Sequence, residues 1–217
     1  HATTINTSSN PWLEGSTLSI TAGSVTLIGK ATEVPAQNIA INVPNQVLGG
    51  FNTNFAGEPV SVQSMYFILS TTTNATATAS SPFSAITNIS LVDENGAVVA
   101  GPVDAAVGDG STHAGQVTLA SAYVLVHFTD TVTFPIGKKT YTLKGKIPSA
   151  WANGVTVNVF TRPSTDWTSV TGQTTGNSVS LTAQSTNIAM NTMTVKGAAL
   201  AVNISAQPAS QNVVKGT

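Results

Sequence analysis

The residues best suited to nucleophilic or acid–base chemistry are histidines with nearby hydroxyl and carboxyl groups, because the chain contains no cysteine. His113 follows Asp109 and Ser111, so one segment holds the three residue types of a catalytic triad. Close neighbours in one loop seldom converge on a reacting atom, and no Gly-x-Ser-x-Gly motif is present. His127 fits the alternation of Tyr123–Phe128, where we expect an ordinary strand residue. The sequence therefore predicts a protein that is not an enzyme.

Metal binding would have to rest on aspartates in turns. Asp93, Asp104 and Asp109 lie in or beside predicted turns, and Ca²⁺ prefers carboxylate and carbonyl oxygens on loops. Their spacing matches no EF-hand, and aspartate is common in turns for its own conformational reasons. We expect no bound metal or cofactor, with structural calcium as the weaker alternative.

Sugar binding or cleavage would need aromatic platforms or paired acids. Trp12, Trp151 and Trp167 could stack on sugars, but tryptophans in a chain with 6% aromatic residues more often anchor a core or an interface. Glu33 and Glu58 are isolated in the sequence, unlike the paired carboxylates of glycosidases. A carbohydrate-binding module remains an alternative, and a glycosidase is not indicated.

Four Asn-x-Ser/Thr sequons permit N-glycosylation. In a chain rich in threonine and asparagine, several such sequons arise by chance. Asn74 is the strongest candidate because it lies in a Thr/Ser/Ala-rich stretch that is typical of an exposed loop. The candidate glycosylation sites are Asn6, Asn74, Asn88 and Asn203.

The composition excludes several classes of partner. The 217 residues include 8 Lys+Arg and 9 Asp+Glu, while 33 Thr and 22 Ser supply most of the polar surface. This near-neutral charge argues against nucleic acid as a partner. The sequence has no apolar run of 18 residues, so we expect no membrane span. The chain begins at His1, and we interpret it as a mature product, an excised piece or part of something longer, from which any export signal has been removed.

Alternation of apolar and polar residues with a period of two dominates the chain and predicts strands. Helical periodicity is not sustained anywhere. The fold class predicted is all-β, an antiparallel β-sandwich of Ig-like or jelly-roll-like type. The predicted strands are Ser24–Ile28, Pro59–Leu69, Ile86–Val92, Gly115–Leu119, Tyr123–Phe128, Thr131–Phe134, Thr140–Ile147, Val155–Phe160, Ser178–Ala183 and Thr192–Lys196.

Turn chemistry predicts how some of these strands connect. Asp93-Glu94-Asn95-Gly96 carries the Asn-Gly signal of a tight hairpin, so we expect it to join residues 89–92 to residues 97–100. Residues 71–82 and 101–115 read as exposed loops.

A weak internal repeat connects the two ends of the chain. Val25-Thr26-Leu27 precedes Pro35-Ala36-Gln37-Asn38-Ile39, and Leu200-Ala201-Val202 similarly precedes Pro208-Ala209-Ser210-Gln211-Asn212-Val213. We therefore divide the chain into an extended lead-in (1–16), a β-sandwich (17–197) and a C-terminal strand (198–217). That strand could complete a neighbouring domain or subunit by donor-strand addition. Its assembly residues would be Leu200, Val202, Ile204, Val213 and Val214.

The runs Ile89-Ser90-Leu91-Val92-Asp93-Glu94-Asn95-Gly96-Ala97-Val98-Val99-Ala100-Gly101-Pro102 and Tyr141-Thr142-Leu143-Lys144-Gly145-Lys146-Ile147-Pro148 resemble the repeated β-sandwich domains of large bacterial surface proteins. The segment Pro208–Thr217 resembles the opening of a following repeat in such proteins. The resemblance implies a place in a surface layer, stalk or extracellular filament, and carries no catalytic residues across.

These observations together predict an extracellular, cell-surface structural protein that self-associates. It would be a subunit or repeat of a filament or surface array, assembled head to tail by β-strand complementation. The alternative is an adhesin or carbohydrate-binding β-sandwich module. Fold alone does not choose between the two.

Overall fold

Fourteen strands and one short helix make up the part of the chain that the computed structural model describes, which is residues 21–71, 86–107 and 123–197. No helix in these three ranges is long and apolar enough to cross a membrane. The helix is α1 (Pro163–Asp166), and the strands are β1 (Ser24–Lys30), β2 (Asn38–Ala40), β3 (Gln46–Ala56), β4 (Val60–Thr71), β5 (Thr87–Val92), β6 (Val98–Val103), β7 (Ala106–Val107), β8 (Tyr123–Phe128), β9 (Val132–Phe134), β10 (Gly137–Lys146), β11 (Thr156–Thr161), β12 (Trp167–Gly172), β13 (Ile188–Ala189) and β14 (Met193–Lys196).

The strands form two sheets that pack face to face. Sheet A has the order β1-β3-β10-β5-β6. Sheet B has the order β2-β14-β11-β4-β8-β7, with β12 and β9 also paired to β4 and β13 paired to β11. The pairs are antiparallel except for β14 with β2. The predicted all-β sandwich is therefore confirmed.

An aromatic cluster fills the space between the sheets. Phe51 of β3 packs against Phe67 of β4, Tyr141 of β10 and Trp167 of β12, with ring centroids 5.6 Å away in each case. Phe134 stacks on Trp167 at 5.4 Å. Because these five rings come from both sheets and are all buried, the cluster holds the sandwich together.

The hairpin between β5 and β6 forms as the Asn-Gly signal predicts. The Gly96 N–H donates to the Asp93 carbonyl, and the Asp93 N–H donates to the Ala97 carbonyl. The Asp93 carboxylate also accepts hydrogen bonds from the N–H groups of Asn95 and Ala97. Gly96 has φ +86°, which lies in the left-handed region that suits glycine.

Replacing Gly96 by alanine is expected to lower the free energy of unfolding by about 1 kcal/mol, because a Cβ strains this φ although no atom lies within 4 Å of it. Chemical denaturation measures the change. Gly96→Asn is the matched control, since asparagine tolerates this conformation, and it should lose clearly less. Equal losses for alanine and asparagine would contradict the backbone explanation.

Several predicted elements are corrected by the structure. The predicted strand Ser178–Ala183 is wrong: Ser178 makes one isolated bridge to Thr171, and Thr182–Gln184 form a 3-10 turn. The predicted loop 101–115 is wrong in its first part, where β6 extends to Val103 and β7 follows. The sequence did not predict five of the strands, which are β2, β3, β7, β12 and β13. The predicted strand Gly115–Leu119 lies outside the described residues.

The strand register places the two ends of the described chain at opposite ends of the sandwich. Thr21 and Ala22 lie against Gly57, in the turn between β3 and β4. At the other end of sheet A, where β10 leads towards β11, the Gly154 N–H donates to Val195 of β14. β3 and β10 are antiparallel, with Gly137 opposite Phe55 and Gly145 opposite Gln46. The turn at Gly57 and the end of β10 therefore lie at opposite ends of sheet A.

Candidate functional site

The candidate site is a backbone edge of sheet A. Four strands end the two strand orders, and three of these four are poor acceptors of another strand. In sheet B, β2 has three residues and β7 has two. In sheet A, β6 contains Pro102, which has no N–H, and its Gly101 N–H already donates to the Asp130 carboxylate at 2.8 Å. Short, proline-containing or capped edges resist pairing with further strands.

Strand β1 is different because it is a seven-residue edge. Ala31, just beyond β1, donates its N–H to the Gly50 carbonyl of β3. Backbone groups alternate in direction along a strand, so Gly29, two residues earlier, also directs its N–H and C=O groups towards β3. Ile28 and Lys30 therefore turn their N–H and C=O groups to the open side. The Ile28 N–H is capped by the side-chain amide oxygen of Gln184 at 3.0 Å. Within the described residues, β1 is thus the longest outer strand with an accessible backbone edge.

A groove of about 450 Å³ runs along this edge, between β1 and the segment that contains β13. Leu27 lines it and is 54% exposed, whereas the adjacent Ile28 is buried in the core. Ile188 and Ala189 of β13 form part of the opposite wall. Lys30 is the one charged residue among those that line the groove. Gln184, Thr186 and Asn187 add polar groups to the opposite wall. The groove therefore combines backbone hydrogen-bonding groups with a mixed apolar and polar lining.

Sequence reasoning missed this groove, although one signal for it was present. Leu27 and Ile28 are adjacent large apolar residues in a strand, so the alternation of a strand allows only one of them to face the core. Because Ile28 is buried, Leu27 has to face outward. The contact between Ile28 and Gln184 spans 156 residues and had no sequence signal.

A second groove, of about 380 Å³, lies on the outer face of sheet A between residues 33–34 and the β5–β6 turn. Its carboxylates are already engaged. Glu33 pairs with Lys138, and Glu94 pairs with Lys139, each at 2.5 Å. The Lys138 hydrogen bond, followed by that from Asn52, lowers the pKa of Glu33 to about 2. These contacts serve the structure of the outer face, since they tie the 31–37 loop and the turn to β10.

His127 lies on the outer face of sheet B, as the alternation of β8 predicts. Its Nε2 is 2.8 Å from the Ser64 hydroxyl, and its ring stacks on Tyr66 at 3.9 Å. Burial lowers the pKa of His127, which favours the neutral imidazole. A serine–histidine contact is one component of nucleophilic catalysis, but no carboxylate of the described residues bonds to this imidazole. Within the described ranges, Ser64 and His127 therefore lack the third member of a triad.

The other residues singled out in the sequence are dispersed. Asp93 caps its own turn, and Asp104 accepts the Asn88 N–H at 2.8 Å. No group of three or more His, Asp or Glu side chains in the described ranges could hold a metal ion. Trp167 is a core residue whose Nε1 donates to Thr161, and Trp151 packs partly buried against the core.

Asn88 is the one glycosylation candidate that the structure describes, and it is exposed on β5. The remaining candidates lie outside the described residues. They are the sequons at Asn6, Asn74 and Asn203, the assembly residues Leu200, Val202, Ile204, Val213 and Val214, and Asp109, Ser111, His113 and Trp12.

Comparisons with protein families, with curated proteins and with solved structures find no match to this chain.

Proposed function

We propose that this chain is an extracellular structural protein that associates with copies of itself, head to tail, by β-strand complementation. It serves as a subunit or repeat of a cell-surface filament or array. The observation that carries the proposal is the outer edge of β1, a seven-residue strand that pairs with β3 alone among the described strands and is flanked by a groove. An unpaired strand edge is a template for a further strand from another chain.

The path of the chain supports the head-to-tail arrangement. The described residues just before β1 and those at the end of β14 lie at opposite ends of the sandwich, judged from the contacts of Ala22 and Val195. Units that enter at one end and leave at the other can follow one another along a line. Heterologous contacts of this kind extend without closing when the rotation between units does not form a ring.

The sparse charge of the surface is consistent with close association. Charged residues make up 8% of the chain, about a third of the usual share of roughly 25%. Lysines that would normally discourage strand pairing at an edge are few, and Lys30 is the one that lines the β1 groove. The carbohydrate-binding alternative gains no support from the two described tryptophans, neither of which is an exposed platform.

Electron microscopy of the full chain beside a variant lacking residues 198–217 tests the proposal. We expect polymers in the full chain and single particles in the truncated variant, because the alternating apolar residues of this segment are the predicted donor strand. Thermal melts of both proteins serve as the control for folding. Monodisperse particles in both samples would refute assembly by this chain.

A further inference from the structure

We propose that the acceptor for assembly is the β1 groove, and that its occupant is the segment of residues 198–206 from a second copy of this chain. This inference rests on the proposed function and adds the two partners of the contact. The added strand would lie beside β1 and extend sheet A from five to six strands. The groove defined by Leu27–Lys30 on one side and Ala183–Ala189 on the other would receive its side chains.

The backbone of β1 offers a hydrogen-bonding pattern that a strand can use. The backbone N–H and C=O groups of Ile28 and Lys30 point to the outer side of β1. These residues are two apart, which is the spacing at which a strand presents hydrogen-bonding groups to a partner strand. Gln184 supplies the oxygen that satisfies the Ile28 N–H in the free sandwich. A carbonyl of the incoming strand would take the place of this side-chain oxygen.

The side chains of residues 198–206 suit the apolar part of the groove lining, which Leu27, Ile188 and Ala189 provide. Leu200, Val202 and Ile204 follow one another at every second position, so a strand presents all three on one face. The segment carries no charged residue, and Lys30 is the sole charge among the groove-lining residues. Insertion would cover Leu27, which is otherwise 54% exposed.

The opposite edge of sheet A offers a test of specificity. Val98 of β6 is 58% exposed, which is close to the exposure of Leu27 on β1. The β6 backbone, however, is capped at Gly101 by Asp130 and interrupted by Pro102. The two apolar side chains are therefore similarly exposed. The edges differ because β6 contains a proline and a carboxylate cap, whereas the cap on β1 is the neutral amide oxygen of Gln184, which an incoming carbonyl can replace.

The decisive comparison is Leu27→Asp with Val98→Asp, both in the full chain. We expect Leu27→Asp to raise the concentration needed for polymer formation at least tenfold, since a carboxylate would be buried in the contact. Val98→Asp should polymerise like the parent. Light scattering measures assembly, and melting temperatures close to that of the parent verify folding of both variants.

A peptide with the sequence of residues 198–206 identifies the occupant. Added in excess to the full chain, it should compete for the groove and shorten the polymers, whereas the same peptide with Val202→Asp should not. Inhibition by a peptide of residues 1–20, without inhibition by the 198–206 peptide, would overturn the assignment of the occupant. Polymers that resist Leu27→Asp but vanish with Val98→Asp would overturn the β1 edge while leaving the proposed function intact. A full chain that never polymerises would fail the proposed function itself.

Gln184 provides a second, independent variant. Gln184→Ala leaves the Ile28 N–H unpaired in the free sandwich, so the incoming carbonyl no longer has to displace a partner. We expect the critical concentration for assembly to fall about fivefold, the equivalent of one ordinary hydrogen bond. An unchanged or higher critical concentration would contradict displacement of Gln184.

Discussion

Replacing Phe51 by alanine is expected to lower the free energy of unfolding by about 4 kcal/mol, and the melting temperature by about 10 °C. Phe51 is fully buried, and its ring contacts aromatic residues that belong to both sheets. Truncation removes the transfer free energy of the ring and leaves a cavity at the centre of the sandwich. Neighbouring rings held in a packed core relax into such a cavity only in part.

Urea denaturation followed by tryptophan fluorescence measures this loss, because the Trp167 ring lies 5.6 Å from the Phe51 ring. Phe51→Leu separates volume from aromaticity and should lose less than alanine does. Val98→Ala is the surface control, with an expected change of less than about 0.5 kcal/mol. A Phe51→Ala variant as stable as the parent would mean that the aromatic cluster does not hold the sheets together.

Alternation identified the strands whose two faces see different surroundings. β8 is the clearest case, since Val124, Val126 and Phe128 are buried while the residues between them are partly exposed. β10 and β11 were found for the same reason, because buried and partly exposed residues alternate along much of each strand. The sandwich class followed from the number of such strands and from the turn residues between them.

β3 escaped prediction because both of its faces are covered. Gly49 faces the core, where a Cβ would meet Met190, and Gly50 faces outward, where a Cβ would meet Val34. Asn52 is also buried on the outer face, bonded to Glu33 and Thr140. Glycines and a buried asparagine destroy the apolar–polar period. The loop that covers them is known only from the tertiary structure.

The segment after β12 shows the opposite error, because a strand was predicted there and none is formed. Residues 178–183 alternate like a strand, with Val179 and Leu181 buried. Local pattern, however, does not determine whether a partner strand is present. Residues 177–179 reach β12, where Asn177 accepts the Gly172 N–H and the Val179 N–H donates to the Val170 carbonyl. The chain then turns so that Gln184 can cap β1. The candidate assembly site was therefore predictable in part through Leu27, while its cap was not.

The second large effect is expected at Glu58, whose carboxylate joins three segments at one end of the sandwich. It accepts hydrogen bonds from the Gly23 N–H, from the Thr174 N–H, and from the N–H and hydroxyl of Thr175. Glu58 is 4% exposed, and a Cβ on Gly172 would collide with its carboxylate. Glu58→Ala should therefore lower the melting temperature by about 5 °C or more, since four donors lose their acceptor.

The same contacts predict how stability depends on pH. The Thr175 hydroxyl, against the opposing effect of burial and with help from backbone N–H groups, lowers the pKa of Glu58 from 4.5 to about 2. A carboxyl group with a depressed folded-state pKa stabilises the protein fully above its unfolded-state pKa. That contribution is lost as the pH falls towards the folded-state value. We expect the melting temperature of the parent to drop between about pH 4.5 and pH 2.

Glu58→Gln, which cannot ionise, should start from a lower melting temperature at pH 6 and lose less of it over this interval. Glu33→Gln is the matched control, because the pKa of Glu33 is also lowered to about 2 although its side chain is 46% exposed. Solvent screening makes the Glu33 contribution smaller, so its variant should follow the parent closely. Parallel pH curves for the parent and Glu58→Gln would show that this buried carboxylate does not link acid sensitivity to the fold.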